Sequence, residues 1–279
     1  MMNAPMNAPP PPVLHRLPAV YAERPLKVVV VGCGGTGSQL LPGLARLHRT
    51  MIALGHPGGL HVTVYDDDDV ATHNCVRQNF FEPDVGVNKA EVMTYRLNVA
   101  HAGAGLRWES RPTRFAAHGD DWWRTDIVIG CVDTRASRRE IARAMDSTRH
   151  CYWIDCGNSA HDGQVIVGEG GSDVPSDRPR LPLPSVLLPE IVSGEDDSAP
   201  SCSAVESILR QGVVTNQMCA TWALAWLAEA LGKGEIAWNG VFFNLVTGRV
   251  SPIAADPAVW ARMGYSAPVV KRRRKRTAA

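Results

Sequence analysis

The run Val28-Val-Val-Val31, followed at once by Gly32-Cys-Gly-Gly-Thr-Gly37, constrains this chain more than any other feature. Four consecutive β-branched residues bounded by glycine read as a strand buried on both faces. The chain must then turn sharply into a helix whose first amides have no partner inside the helix. Gly32, Gly34, Gly35 and Gly37 let the backbone turn tightly and approach a ligand closely. The unpaired N–H groups and the positive end of the helix dipole suit negative oxygens. The turn therefore predicts a phosphate-binding strand–turn–helix unit, without saying which nucleotide it holds. Its spacing is shared with dinucleotide-binding proteins, so an NAD-dependent oxidoreductase stays open at this point.

A second strand, Leu60-His-Val-Thr-Val-Tyr65, ends in four carboxylates, Asp66 to Asp69, followed by Val70, Asn74, Arg77, Gln78 and Lys89. An acidic residue at the end of a second strand grips a ribose hydroxyl in either reading, and Asp66 is placed for it. Arg77 and Lys89 are harder to explain with a dinucleotide, whose pyrophosphate needs little beyond the glycine turn. They suit a triphosphate whose charge is held during reaction, which points to ATP. A third strand over Thr125–Gly130 runs into Asp133 and Arg138, placing Asp133 in the crevice where open α/β sheets bind ligands. One carboxylate beside a bound triphosphate suffices to hold Mg2+.

Plainer readings stand beside these. Asp67, Asp68 and Asp69 read equally as a solvated turn, Arg77 and Lys89 as surface charges, Arg138 as a helix-surface residue, and Asp133 as the cap of a helix starting at Thr134.

Taken together, Gly32–Gly37, Asp66-x-Asp68-x-Val70-x-x-x-Asn74-x-x-Arg77-Gln78, Lys89, and Asp133 with Arg138 resemble the ThiF/MoeB group of ubiquitin-activating-enzyme-like adenylating proteins. The resemblance runs from about Lys27 to Leu231. Within the group the chain most resembles the ThiF members of the bacterial PRTRC gene cluster, through Tyr152–Asn158, Gly163–Gly168, Ser201–Ser203 and Asn244–Arg249. It implies a Rossmann-like doubly wound α/β sheet, mostly parallel with an antiparallel C-terminal extension. It implies binding of ATP with Mg2+ and attack on the α-phosphate by the C-terminal glycine carboxylate of a small ubiquitin-like (β-grasp) or sulfur-carrier protein. Asp66 would bind ribose, with Asp68 beside it, Arg77 and Lys89 would contact phosphates, Asn74 and Gln78 would line the site, and Asp133 would hold the metal. No general base is required, because a carboxylate is already ionised at neutral pH. The resemblance further implies a homodimer, with Arg16 or Arg24 as the candidate arginine reaching a neighbouring site, and a surface to bury on the helix around Trp222 and Trp226. A cysteine in the region of Cys202 would take the acyl group from AMP, since a thiolate attacks an activated carbonyl well. The two Cys-x-x-Cys pairs that hold zinc in several relatives are missing from this chain.

Lys and Arg (29) nearly balance Asp and Glu (28), so no global field favours nucleic acid or a membrane surface. A catalytically silent nucleotide-binding scaffold, docking partners through the basic run Lys271-Arg-Arg-Arg-Lys-Arg276, is the remaining alternative. No secretory signal is read at the start, and seven cysteines without one suggest reduced thiols in a cytoplasm. Residues 1–24 read as a disordered proline-rich segment, 25–264 as one adenylating domain with a long crossover loop near 170–202, and 265–279 as a basic tail. Ala204 to Gly232 reads as a helix interrupted by Thr215, Asn216, Gln217 and Thr221, which favours a buried or dimer-facing helix over a membrane span.

Overall fold

The structure is a computed structural model, and it describes residues 12–117, 122–174, 178–196 and 212–265. The valine run forms the carboxyl-terminal four residues of strand β2 (Leu26–Val31), with α1 (Gly35–Ala53) after it. Strands β3 (Leu60–Tyr65) and β4 (Glu109–Arg111) follow on one side of β2, separated by α2 (Lys89–Ala100). The chain then returns to the other side of β2 with β5 (Ile127–Gly130), α3 (Arg135–Met145) and β6 (Cys151–Asn158). These five strands are parallel, and the reversal between β2 and β5 opens a crevice at their carboxyl ends.

Three antiparallel strands extend the β6 edge: β7 (Asp162–Gly170), then β9 (Trp238–Asn244) and β10 (Arg249–Ala254). The eight-stranded order is β10-β9-β7-β6-β5-β2-β3-β4. A two-residue strand β1 (His15–Arg16) pairs separately with β8 (Glu235–Ile236). Both faces of the sheet are covered, which is why β5 and β6 are apolar almost throughout. One face carries α1, α2 and the long helix α5 (Val213–Lys233), and the other carries α3 over Val29, Val31, Val128 and Trp153. A Cβ on Gly43 of α1 would strike the Leu224 side chain, so α1 and α5 approach closely. Helix α5 runs one residue past the Gly232 expected as its end and is capped by Gly234 in the left-handed conformation.

Residues 12–24 depart from the expectation of a disordered segment. His15 and Tyr21 are buried, and Arg24 forms a two-pronged pair with Asp126 at 2.7 and 2.8 Å, at the end of the sheet away from the crevice. The physical reason is that Asp126 also accepts from the Lys27 amide, so the arm is tied to the entry of both β2 and β5. Trp226 likewise offers no free surface: it is fully buried and donates to the Trp238 carbonyl, while Trp222 packs edge-on against the Trp238 ring. Between β7 and α5, the described part of the crossover segment includes a short helix, α4 (Pro184–Leu187). Cys202 and the basic run at 271–276 lie outside the described residues. Among the described residues no helix is long and apolar enough to cross a membrane.

Candidate nucleotide site

The carboxyl ends of β2, β3, β5 and β6 surround a cleft of about 1080 Å³. Gly32 leaves β2 at φ +93°, and a Cβ there would lie 2.7 Å from the Cys131 carbonyl oxygen, so the turn is open only to glycine. Gly34 is the N-cap of α1, and Gly35 and Gly37 fall in its first turn. Gly32, Gly34, Gly35 and Thr36 of that turn line the cleft, while the Gly32 amide is taken by the Tyr65 carbonyl.

The end of β3 is organised from two sides. The Asp66 carboxylate accepts from the Cys33 amide of the glycine turn and, at 3.0 Å, from the Asp68 amide. Burial pushes its pKa up, and these amides with the Lys89 charge work against that. Asn88 caps α2 and also donates to the Asp66 and Asp68 carbonyls at 3.0 Å each, which fixes Lys89 at the first position of the helix. Lys89 Nζ donates to Asp68 at 2.7 Å from an almost fully buried side chain. Asp67 is held by Arg114 at 2.8 Å. Ligand atoms of Asp66, Asp67 and Asp68 lie within 4.8 Å of one another, so the acidic turn is a compact anionic wall tempered by two cations.

Arg77 follows a short 3-10 turn (Thr72–Val76) whose Asn74 side chain accepts from the Ala71 amide at 2.8 Å. Arg77 is about nine-tenths buried, and burial pulls its guanidinium below its ordinary pKa while the Asp133 charge raises it. Gln78 lines the same cleft, and its buried Oε1 has no hydrogen-bond partner among the described residues. Burying charged groups around an incompletely satisfied polar lining is costly without a counter-ligand. The lining thus fits a polyanion with hydroxyl donors: cations and the start of α1 for phosphate, and Asp66 with spare lone pairs for ribose.

Thr134, not Asp133, caps α3, its side chain accepting from the Ser137 amide. Asp133 is exposed on the cleft wall, free of that local duty and available to a phosphate-bound cation. Arg138 is buried rather than on the helix surface, and donates to Asp155 at 3.1 Å and to the Cys156 carbonyl at 3.4 Å. The cleft thus brings together Gly32, Gly34, Gly35, Asp66, Asp68, Asn74, Arg77, Gln78, Lys89, Asp133 and Arg138, whereas Arg24 is held by Asp126 and Arg16 by Glu235, away from it.

Residues outside those motifs complete the cleft. Asp196 of the crossover segment accepts from the Arg135 and Ala136 amides at the start of α3, while Arg139 donates to the Val192 and Gly194 carbonyls at 3.0 Å each. This latch forms one wall of the cleft. Thr36, Asn158 and Asn216 meet behind the glycine turn. Asn216 carried a signal in the sequence, as a polar residue interrupting an apolar helix, but helical periodicity alone does not say what it faces.

Comparison with known proteins is consistent with this geometry. The profile of the ThiF family matches residues 22–258. A curated relative, the NEDD8-activating enzyme E1 catalytic subunit of Dictyostelium discoideum, is 26% identical over 208 residues, covering 72% of this chain and 43% of the relative. The chain thus spans less than half the length of that relative. Among solved structures, the crystal structure of selenomethionine PaaA aligns with a TM-score of 0.52 at 14% identity, covering 82% of this chain and 64% of that one, a likeness of fold.

Proposed function

The chain belongs to the ThiF family, and from that premise we propose that it is an ATP-dependent adenylyltransferase that joins AMP to the C-terminal glycine carboxylate of a small ubiquitin-like carrier protein and releases pyrophosphate. The observation that carries this reading is the convergence of Arg77 and Lys89, both at least nine-tenths buried, on one glycine-turn cleft. A dinucleotide gives two buried cations little to do. A triphosphate uses both.

Bound MgATP supplies an electrophilic α-phosphorus and a pyrophosphate leaving group. The glycine-turn amides and Arg77 hold phosphate oxygens and stabilise the charge that grows in the transition state. Lys89, resting on Asp68, is a second donor that reaches the phosphates by exchanging that partner. Asp66 orients the ribose, Asn74 and Gln78 line the pocket, and Asp133 holds Mg2+. The incoming carboxylate is already ionised, so the protein's task is positioning and electrostatics rather than proton removal.

The finer parts of the reading rest on the sequence. They are assignment to the PRTRC-associated members, a homodimer, a cytoplasmic setting in keeping with the free thiols among the described cysteines, and transfer of the acyl group to Cys202. Cys202 follows Asp196, which lines the cleft, by six residues. Incubation with α-labelled ATP and a glycine-ending carrier tests the function: label should reach the carrier in wild type and fall at least about tenfold in Asp133→Asn. Cys202→Ser should retain the labelled carrier and lose a reductant-sensitive protein–carrier adduct. Undiminished labelling in Asp133→Asn removes the metal role, and an adduct persisting in Cys202→Ser removes the thioester step.

A further inference from the structure

Asn216, in the first turn of α5, is 1% exposed, an unusual place for an amide in an otherwise apolar helix. Its Oδ1 lies 3.1 Å from Thr36 Oγ, and its Nδ2 has no hydrogen-bond partner among the described residues. Thr36 Oγ is also 3.4 Å from Asn158 Oδ1. A hydroxyl has one proton, so it serves one of these two carbonyl oxygens and leaves the other unserved. On its far side the Asn216 amide nitrogen crowds Gly35, at the place where a Cβ on that residue would also strike Arg77 Nη1. In this orientation an amide donor faces a guanidinium donor across the glycine.

The two ends of an amide are isosteric, and the hydrogen-bond network decides which faces which. Turning the Asn216 amide over resolves every conflict at once. Its NH2 donates to Thr36 Oγ, the Thr36 proton passes to Asn158, and the Asn216 carbonyl oxygen faces the Arg77 guanidinium. We infer that Asn216 is a positioning residue that holds the Arg77 guanidinium over Gly35, through a relay Asn158–Thr36–Asn216–Arg77 that links the end of β6, the glycine turn and the helix following the crossover segment.

The inference rests on the proposed role of Arg77 toward nucleotide, but the contact itself is independent of that role. Gly35 is glycine because two side chains from distant parts of the chain share the space beside it. The relay gives the Asn216 amide its partners, while Thr215 beside it donates to the Ala160 carbonyl at 2.9 Å. The relay also ties the start of α5 to the phosphate end of the cleft.

A double-mutant cycle tests it, using the full chain with Asn216→Ala, Arg77→Lys and both together. Arg77→Lys keeps the charge and removes the planar fork that Asn216 holds. In calorimetry with MgATP, Asn216→Ala alone should weaken binding about tenfold, and should add less than about twofold in the Arg77→Lys background. Asn216→Leu keeps the volume and should match Asn216→Ala. Urea unfolding of the nucleotide-free protein reads the same cycle without ATP: the shift in midpoint caused by Asn216→Ala should be smaller in the Arg77→Lys background. Equal shifts in both backgrounds overturn the contact. Coupled unfolding shifts with multiplicative losses of affinity keep the contact and overturn its role in positioning. Wild-type protein that fails to bind MgATP overturns the nucleotide reading, while the unfolding cycle still decides whether Asn216 holds Arg77.

Discussion

At the scale of single residues, the cleft is arranged so that each charged group is oriented by a neutral or opposite neighbour before any ligand arrives. Lys89 rests on Asp68, Asp66 is fixed by two backbone amides, and Arg77 packs against the Cα of Gly35. For Asp66 and Arg77 such preorganisation serves electrostatic catalysis, because groups already in place cost no reorganisation during reaction, whereas Lys89 has to exchange Asp68 for a phosphate. It also makes Gly35 a sensitive position. Gly35→Ala places a methyl group against Arg77 Nη1 and the Asn216 amide, and overpacking of a tight site costs about 1–3 kcal/mol. We expect a folded protein with a lowered unfolding midpoint and MgATP affinity reduced at least about tenfold, measured by calorimetry. Wild-type affinity in Gly35→Ala would show that the crowding there is not functional.

Among the elements, a buried ionic group away from the cleft holds the N-terminal arm and the described crossover segment to β6 and β7. Glu169 is fully buried, accepts from Arg178 at 2.6 and 2.9 Å and from the Leu181 amide at 3.0 Å, and meets His150 Nε2 at 3.1 Å. His15 Nε2 contacts the Tyr152 hydroxyl at 2.8 Å. Burial alone would raise the Glu169 pKa, but hydrogen bonds from His150 and Arg178, with the charges of His15 and Arg178, bring it down to about 2. Burial lowers His15 to about 4, with Glu169 opposing and Arg178 and His150 adding to the shift. Both groups bind protons more readily in the unfolded chain. Their contribution to stability is therefore complete above pH 6.5, declines first through His15 as pH falls toward 4, and declines further through Glu169 between about 4.5 and 2. The difference in thermal midpoint between wild type and Glu169→Gln should therefore shrink as pH falls across that range. Glu169→Gln leaves the Arg178 charge buried without its carboxylate and should cost about 3–5 kcal/mol at neutral pH, while flattening the low-pH part of the profile. A profile unchanged by Glu169→Gln would contradict this assignment.

The whole molecule shows which properties are local in sequence and which are not. The glycine turn and the β3 carboxylates were legible because each depends on neighbours a few positions apart, through periodicity and turn chemistry, whereas the parallel core and the antiparallel extension came with the family resemblance. The ordered arm was not, because proline-rich composition masks a single buried histidine and tyrosine whose partners lie more than a hundred residues on. Arg138 and Trp226 read as surface candidates for the same reason, since only tertiary packing puts them inside. Asp196 lines the cleft from the crossover side and Asn216 packs behind the glycine turn, and both placements depend on a chain path that no local pattern encodes.

That path ends at a single cleft where glycine-turn amides, Arg77, Lys89 and Asp133 meet. Adenylation of a carrier is reversible until the activated tail is consumed, so exchange of labelled pyrophosphate into ATP reads the proposed reaction directly. Wild-type protein with Mg2+ and a carrier ending in glycine should catalyse exchange, the same carrier without its terminal glycine should not, and Arg77→Ala should lower the rate by about two orders of magnitude. Tight binding of NAD, with neither MgATP binding nor carrier-dependent exchange, would contradict the reading of this site as an adenylating centre.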